Sequence, residues 1–346
     1  MADTATLPLR PLPTVRRSGI DRALAARTEI EALARKVVDD GLRNVYMTGS
    51  GGGLITFGHL QFELEQGTAR FPSFAISANE LIYRSPAALG KGSIVLLASN
   101  TGTTPEVVAA ANWAKERGAF VISTTKKPDS PLAQASDVAW TYGDDKGIGD
   151  PKQFYLALFG LALLRETGDI DAGTYDGRVA ALEALPDALI AAVRGTEPLT
   201  AGIAADLKDE EVIYVLGSGP NHSTAYCLAM CYLQEMQWKH AASFDAAEFL
   251  HGAMEVVTDD VPVILFLGEE STRAIDERAK RFLDSWTAKR HYVDARDLDL
   301  PGIAAEQRPF VSNFALNAVM SRIAEQFEAA TGHDLQIRRY MFRVEY

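Results

Sequence analysis

The chain contains very few cysteines and no long apolar run. Only Cys227 and Cys231 occur among its 346 residues, and their i,i+4 spacing suits one face of a helix rather than a disulfide framework. No apolar stretch approaches the roughly 18 residues of a membrane-spanning helix. The first residues also lack the apolar segment of a secretory signal. We therefore expect a cytoplasmic protein that does not insert into a membrane.

Positive charge is also scarce. The chain has 34 Lys and Arg residues against 46 Asp and Glu residues, which gives a net charge of -12. Binding to nucleic acid through neutralised phosphates is therefore not expected. A small anionic ligand is still possible, because backbone N–H groups at a helix N-terminus can bind it locally. The composition is that of a globular protein, and the length predicts two domains.

Apolar runs that end in glycine-rich or hydroxyl-rich loops occur in both halves of the chain. The runs at 44–47 and 93–98 are repeated in pattern at 211–216 and 261–267, at an offset of about 168 residues. A helical pattern follows each run, so each half is predicted to be an open parallel α/β sheet flanked by helices. The expected segments are an N-terminal arm (1–18), a first domain (19–194) and a second domain (195–346).

Two loops of the first half are suited to a sugar phosphate. One follows the first strand, at 44–47. The other follows the apolar run at 93–98 and precedes Pro105, whose fixed backbone angle suits the first position of a helix. Hydroxyls and unpaired N–H groups at a helix N-terminus bind anions, and ligands of open α/β sheets bind at the carboxyl ends of strands. The predicted phosphate- and sugar-binding residues are Gly49, Ser50, Gly51, Ser99, Asn100, Thr101 and Thr104. In the second half, Glu269 and Glu270 would repel a phosphate at the corresponding loop.

Other interpretations of these motifs are weaker or structural. Gly49-x-Gly51 is followed by Leu54 where a dinucleotide fingerprint has a third Gly or Ala, so no cofactor is expected. A tight turn at the glycines and an ordinary cap at residues 99–104 remain open. Glu248 and His251 have helical spacing, but a metal site normally has at least three ligands. No metal is therefore expected.

Glu235 and His251 are the candidate acid/base pair. They are 16 residues apart. In a single helix, this separation would place them roughly 24 Å from each other. They can share a site only if the chain turns back between them or if two subunits meet. A surface carboxylate and a surface imidazole remain the structural alternatives for the two residues.

These motifs resemble those of double sugar-isomerase (SIS) domain proteins over roughly residues 25–346. Ser99–Thr104 resembles the phosphate loop of that family, and Gly49-Ser50-Gly51 resembles its first sugar-phosphate loop. The spacing of Glu235 and His251 resembles that in the isomerase domain of glucosamine-6-phosphate synthase. The segments 251–255 and 338–346 are most similar to those of fructosamine-6-phosphate deglycases.

The resemblance implies two tandem SIS domains and a metal-independent deglycase. Such an enzyme cleaves a 6-phosphorylated Amadori product, a fructosamine 6-phosphate, into glucose 6-phosphate and a free amine. Glu235 and His251 would be its catalytic residues, at the interface of a homodimer or larger homo-oligomer. Which subunit's site His251 serves, and which amine is released, are left open.

The sequence departs from the synthase in two respects. Residue 2 is Ala where the synthase has a catalytic cysteine, and no lysine follows Lys289 where the synthase has one in its tail. Both departures argue against amidotransfer. An aldose–ketose sugar-phosphate isomerase is the enzymatic alternative, and a non-catalytic sugar-phosphate sensor is the alternative from another class.

Overall fold

A computed structural model of the protein describes residues 7–12 and 14–345. The chain divides into two compact units. The N-terminal unit comprises residues 15–186, and the C-terminal unit comprises residues 187–345 with the described residues before Val15. Of the predicted arm, residues 1–6 and 13 lie outside the described residues. Arg10 donates from Nη2 to Glu328 Oε1 at 2.7 Å, so this part of the predicted arm is bound to the C-terminal unit.

The N-terminal unit contains one sheet of five parallel strands in the order β2-β1-β3-β4-β5. Its strands are β1 (Asn44–Gly49), β2 (Ser73–Ser77), β3 (Ser93–Ala98), β4 (Phe120–Thr125) and β5 (Val138–Thr141). Its helices are α1 (Ser18–Ala25), α2 (Arg27–Asp39), α3 (Gly52–Ile55), α4 (Gly58–Gly67), α5 (Ala78–Arg84), α6 (Pro105–Glu116), α7 (Pro131–Ala135) and α8 (Pro151–Glu166). The next helix, α9 (Ala172–Gly195), continues into the C-terminal unit.

The C-terminal unit contains four parallel strands in the order β7-β6-β8-β9. Its strands are β6 (Val212–Gly217), β7 (His240–Asp245), β8 (Val263–Leu267) and β9 (Arg290–Asp294). Its α-helices are α10 (Glu197–Leu207), α11 (Pro220–Tyr226), α12 (Ala246–Phe249), α13 (Arg273–Trp286) and α14 (Arg308–Thr331). A π-helix (Cys227–Gln234) and 3-10 turns (Ala253–Val256, Ala295–Asp297, Ala305–Gln307) complete it.

The apolar runs become buried strands because helices cover both faces of each sheet. Every residue of β1, β3 and β8 is buried, as expected for central strands of a parallel sheet. Helix α8 is buried from Pro151 to Leu164, which explains why its sequence is apolar on all sides. The prediction of an α/β fold with two parallel sheets is confirmed.

The two sheets also share their strand order, since β1, β2, β3 and β4 correspond in turn to β6, β7, β8 and β9. The sequence analysis missed β7, whose residues are only partly buried at the edge of the sheet. An edge strand lacks the continuous apolar run that identified the central strands. Among the described residues, no helix is long and apolar enough to cross a bilayer.

Candidate active site

The two predicted phosphate loops are neighbours at one edge of the N-terminal sheet. Strands β1 and β3 are paired in parallel, and Gly49 lies opposite Ala98 in their register. Ser50 and Ser99 therefore leave adjacent strands at the same level. Ser50, Asn100 and Thr101 are exposed there, so their polar groups are accessible to a ligand.

Glycine is required in the first loop because the backbone packs tightly against β3. A Cβ atom on Gly53 would lie 2.3 Å from the carbonyl oxygen of Ala98, and one on Gly49 would lie 2.7 Å from the backbone of Gly53. Gly51 has φ +51°, in the region that glycine adopts readily. These contacts support the tight-turn interpretation, which is compatible with ligand binding at the same loop.

Hydroxyl groups hold the second loop in shape. Ser99 Oγ lies 2.9 Å from Thr104 Oγ1 and accepts from the N–H of Gly102 at 3.1 Å. Thr101 Oγ1 lies 2.7 Å from Thr103 Oγ1. Thr104 precedes α6, but its side chain makes no capping bond to the helix. Ser99 and Thr104 therefore stabilise the loop, while Asn100 and Thr101 remain at the surface.

A buried polar network that the sequence analysis missed lies beside this loop. Asn100 Oδ1 accepts from Tyr142 Oη at 2.6 Å and from Lys152 Nζ at 3.1 Å. Lys152 also pairs with Asp150 Oδ2 at 2.9 Å, and Thr56 Oγ1 donates to the same carboxylate at 3.3 Å. The network thus joins the second loop to α8 and to the segment that follows the first loop.

The carboxylate of Asp150 stays ionised within this network. Burial would raise its pKa, but the charge and hydrogen bonds of Lys152 outweigh burial and hold the pKa of Asp150 below its ordinary value. Asp150 also accepts from the N–H of Lys152 at 3.1 Å as the cap of α8. Lys152 and an ionised Asp150 are therefore paired at the start of an otherwise apolar helix.

The corresponding loop of the C-terminal unit is filled by a carboxylate. Glu270 is buried, and its oxygens accept from Asn221 Nδ2 at 3.0 Å and from Ser312 Oγ at 2.6 Å. Burial raises the pKa of Glu270. Glu269 pairs with Arg308 at 2.7 Å. Groups that could donate to an anion are therefore used by the protein's own carboxylate, in keeping with the expectation that a phosphate is excluded here.

Glu235 lies directly after the π-helix Cys227–Gln234. Its side chain is 24% exposed and pairs with Arg338 of the C-terminal segment, Oε1 to Nε, at 2.9 Å. Burial raises the pKa of Glu235, and the Arg338 charge and hydrogen bond oppose that rise. Burial therefore makes this carboxylate more basic, and the adjacent cation limits that increase.

The backbone around Glu235 is irregular. Its N–H donates to Met230 five residues earlier, at 3.0 Å, which is the π-helical pattern. Trp238, three residues later, has φ +56°, a rare conformation for an aromatic residue. π-Helical turns and strained residues are enriched at functional sites. Trp238 also contacts the His333 ring at 4.4 Å and the Arg339 guanidinium at 4.3 Å.

His251 is exposed on the turn that follows α12. Asp245 caps that helix by accepting from the N–H of Ala247 at 2.8 Å, and Phe249 and Leu250 are buried in the core of the unit. The N–H of His251 donates to the carbonyl of Glu248 at 2.9 Å. The buried neighbours anchor the turn, so the imidazole projects from a fixed position.

Strand β7 separates Glu235 from His251 within one chain. Gln234 Nε2 donates to the carbonyl of Ala241 near the start of β7 at 2.6 Å, so Glu235 lies by the amino end of the strand. His251 follows the helix that begins at the carboxyl end. The side-chain partner of Glu235 in the structure is Arg338. No hydrogen bond or ion pair given for the described residues joins Glu235 to His251.

In the described part of the chain, no group of three or more His, Cys, Asp or Glu side chains is arranged to hold a metal ion. Glu248, His251 and Glu255, which have helical spacing in the sequence, do not lie on one helix, because α12 ends at Phe249 and a separate turn covers Ala253–Val256.

Comparison with known proteins identifies the family of this fold. The family model described as SIS domain matches residues 43–145 and 206–289, one segment in each parallel sheet. The chain belongs to the SIS domain family. The two matched segments of this SIS protein agree with the duplicated strand order of its sheets.

Curated relatives of this SIS protein include two deglycases. Fructosamine deglycase FrlB of Bacillus subtilis (strain 168) is 30% identical over 322 residues, which cover 92% of this chain and 97% of the relative. Fructoselysine 6-phosphate deglycase of Escherichia coli (strain K12) is 26% identical over 268 residues, with 77% and 76% covered. The predicted relation to SIS-domain fructosamine deglycases is confirmed.

A solved structure has the same fold as this SIS protein. A Bacillus subtilis protein that carries the provisional name of phosphosugar isomerase superposes with a TM-score of 0.87 at 29% sequence identity. The match covers 94% of this chain and 100% of that one. The likeness therefore extends over both sheets.

Proposed function

We propose that the protein is a deglycase that acts on a 6-phosphorylated Amadori product. The observation that carries this proposal is the likeness to fructosamine deglycase FrlB along 92% of the chain. The reaction adds water to a fructosamine 6-phosphate and yields glucose 6-phosphate and a free amine. The exposed donors of the two loops and the half-buried Glu235 are the groups that such a reaction requires.

In the proposed mechanism, the loops of the N-terminal unit bind the phosphate and Glu235 transfers a proton. Ser50, Asn100 and Thr101 are accessible at the carboxyl ends of adjacent strands, and they would hold the phosphate with backbone N–H groups. Glu235 removes a proton from C1 of the ketosamine while the C2 oxygen takes up a proton, which gives an enaminol. Glu235 then returns its proton to C2 as the nitrogen loses its N–H proton. The resulting aldimine is hydrolysed by water to the aldose phosphate and the amine.

The environment of Glu235 supports a role as the base. A carboxylate in water is a weak base, whereas burial raises the pKa of Glu235. The charge and hydrogen bond of Arg338 limit that rise in the pKa of Glu235. A general base of this kind contributes about 10² to 10⁴ in rate.

His251 is proposed to act in the site of a second copy of the chain. In the sequence, β7 and α12 lie between Glu235 and His251, and His251 is exposed, so its imidazole is accessible to a neighbouring copy. There it would donate and accept protons at the sugar oxygens. The protein is therefore proposed to work as a homodimer or a larger homo-oligomer. We also propose a cytoplasmic location, because charged sugar phosphates do not cross a bilayer unaided.

The proposal is tested by measuring glucose 6-phosphate release from a panel of fructosamine 6-phosphates that differ in their amino acid. The parent protein should turn over at least one, and Glu235→Gln should lose about 10² to 10⁴ of kcat without loss of folding. Equal rates for parent and variant would remove Glu235 from the role of base. Failure of the parent on the whole panel would contradict the deglycase assignment.

A phosphosugar isomerase is the second candidate, since the solved structure with TM-score 0.87 carries that name. The two functions share the C1-to-C2 proton transfer and differ in the release of an amine. Conversion of fructose 6-phosphate to glucose 6-phosphate, assayed beside the fructosamine panel, separates them. The deglycase proposal predicts higher kcat/KM with the amine-bearing substrate.

A further inference from the structure

Lys152 is in an unusual position for a lysine. It lies in the first turn of α8, and its side chain is only 8% exposed. A cation at the N-terminus of a helix is unfavourable, because the backbone N–H groups there already carry positive partial charge. A buried lysine at this position therefore requires compensating contacts. Lys152 pairs with Asp150 at 2.9 Å and donates to Asn100 at 3.1 Å, and its Nζ lies 5.3 Å from the centre of the Tyr142 ring.

These contacts determine which way the amide of Asn100 faces. An ammonium group donates hydrogen bonds and cannot accept them, so the Asn100 atom that faces Lys152 must be the oxygen. Tyr142 donates to the same oxygen at 2.6 Å. The NH2 end is consequently the end that faces away from both side chains. In an asparagine at the surface, the two ends would otherwise be interchangeable.

We infer that Lys152 is a positioning residue that fixes the amide of Asn100 so that its NH2 group donates to the phosphate of the substrate. Lys152 does not itself touch the phosphate. Asp150 neutralises its charge, and Thr56 ties Asp150 to the segment after the first loop. This inference rests on the proposed function, in which Asn100 belongs to the phosphate site.

A direct role for Lys152 makes a different prediction. If its charge attracted the phosphate directly, removal of Lys152 would weaken binding whether or not Asn100 is present. If it acts through Asn100, its removal has no further effect once the amide is gone. Double-mutant cycles separate these cases, because residues in one network are non-additive and independent ones are additive.

The test is calorimetric binding of glucose 6-phosphate, with glucose as the control that lacks the phosphate. Lys152→Met and Asn100→Ala should each weaken binding of glucose 6-phosphate about tenfold, as expected for one hydrogen bond to a charged group. The double variant should bind no more than about twofold more weakly than Asn100→Ala alone. Lys152→Arg retains a donor to Asn100 and should bind within about threefold of the parent.

Asn100→Asp provides a second test that does not depend on the folding of Lys152→Met. An aspartate keeps an oxygen for Lys152 and Tyr142 but has no NH2 group. It should melt at the temperature of the parent and lose phosphate-dependent binding. The inference is overturned if Asn100→Asp binds glucose 6-phosphate as the parent does, if Lys152→Met does so, or if the two single effects multiply in the double variant.

Failure of this inference can be told apart from failure of the proposed function. Turnover of fructosamine 6-phosphates by the parent tests the deglycase, whereas the variants test Lys152 by binding alone. If the parent turns over fructosamine 6-phosphates but Lys152→Met binds glucose 6-phosphate as the parent does, only the positioning role is contradicted. If the parent shows no turnover but its binding of glucose 6-phosphate depends on Lys152, only the deglycase assignment is contradicted. A parent that does not discriminate glucose 6-phosphate from glucose overturns the positioning role as well.

Discussion

The ion pair between Glu235 and Arg338 gives the sharpest prediction about the proposed base. Arg338→Met removes the cation and keeps an apolar side chain of similar length. Burial alone then acts on Glu235, so the pKa of Glu235 rises further above its ordinary value. Since the base must be ionised to act, activity should be lost at a higher pH than in the parent.

The size of the effect follows from the geometry of the pair. The two side chains are 24% and 14% exposed, and their atoms are 2.9 Å apart. The pair is better shielded than surface pairs, which contribute about 0.2–1 kcal/mol, but it is less buried than pairs whose disruption costs 3–5 kcal/mol. A value of about 1.4 kcal/mol, equivalent to tenfold in equilibrium, lies between these limits.

The assay is the pH dependence of kcat/KM. In the acid limb, where Glu235 is partly protonated, Arg338→Met should be about tenfold slower than the parent. At high pH, where the base is ionised in both proteins, the deficit should shrink. Arg339→Met is the matched control, because Arg339 stacks on Trp238 rather than pairing with Glu235. Superimposable acid limbs for Arg338→Met and the parent would refute the reasoning.

Two further predictions concern the two sheets. Gly53→Ala puts a methyl group 2.3 Å from the Ala98 carbonyl oxygen, so it should lower stability by about 1–3 kcal/mol and raise KM. The control is Gly202→Ala, at an open helical position, which should leave KM unchanged and raise stability by about 0.5–1 kcal/mol. A Gly53→Ala enzyme with the stability and KM of the parent would contradict the tight-turn argument. Burial raises the pKa of Asp276 to about 7, so this group favours the folded state below its unfolded pKa and loses that contribution as pH rises toward 7. Asp276→Asn, which mimics the neutral form, should therefore melt at a higher temperature than the parent at pH 8, and its gain in melting temperature should be smaller at pH 5. Equal differences in melting temperature between variant and parent at the two pH values would count against a buried, protonated aspartate.

The sheets could be predicted because their signals are local. Central strands such as β3 and β8 are short apolar runs, and the loops after them are marked by glycine or hydroxyl residues. The edge strand β7 has no such run, because only part of it is buried. The left-handed Trp238 and the π-helix before Glu235 have no sequence signature, since tertiary packing imposes both conformations.

The parts of the site that were missed depend on contacts between distant residues. Arg338 meets Glu235 across 103 positions, and Lys152 meets Asn100 across 52. The sequence did contain one usable signal: Asp150-Pro151-Lys152 places two charges at the start of a helix that is otherwise apolar. Because the whole helix is buried, those charges are energetically unfavourable unless they are paired. Such pairing is typical of a functional network.

The central claim is that Glu235 of one copy and His251 of another form one catalytic site, and subunit complementation tests it most directly. Glu235→Gln and His251→Ala are co-expressed with different affinity tags, and protein that carries both tags is assayed for glucose 6-phosphate release. Each variant alone should be nearly inactive. A mixed dimer has one site with both residues intact, so it should recover about half of the parent activity. Mixed dimers as inactive as the separate variants would show that each chain uses its own Glu235 and His251, contrary to the account.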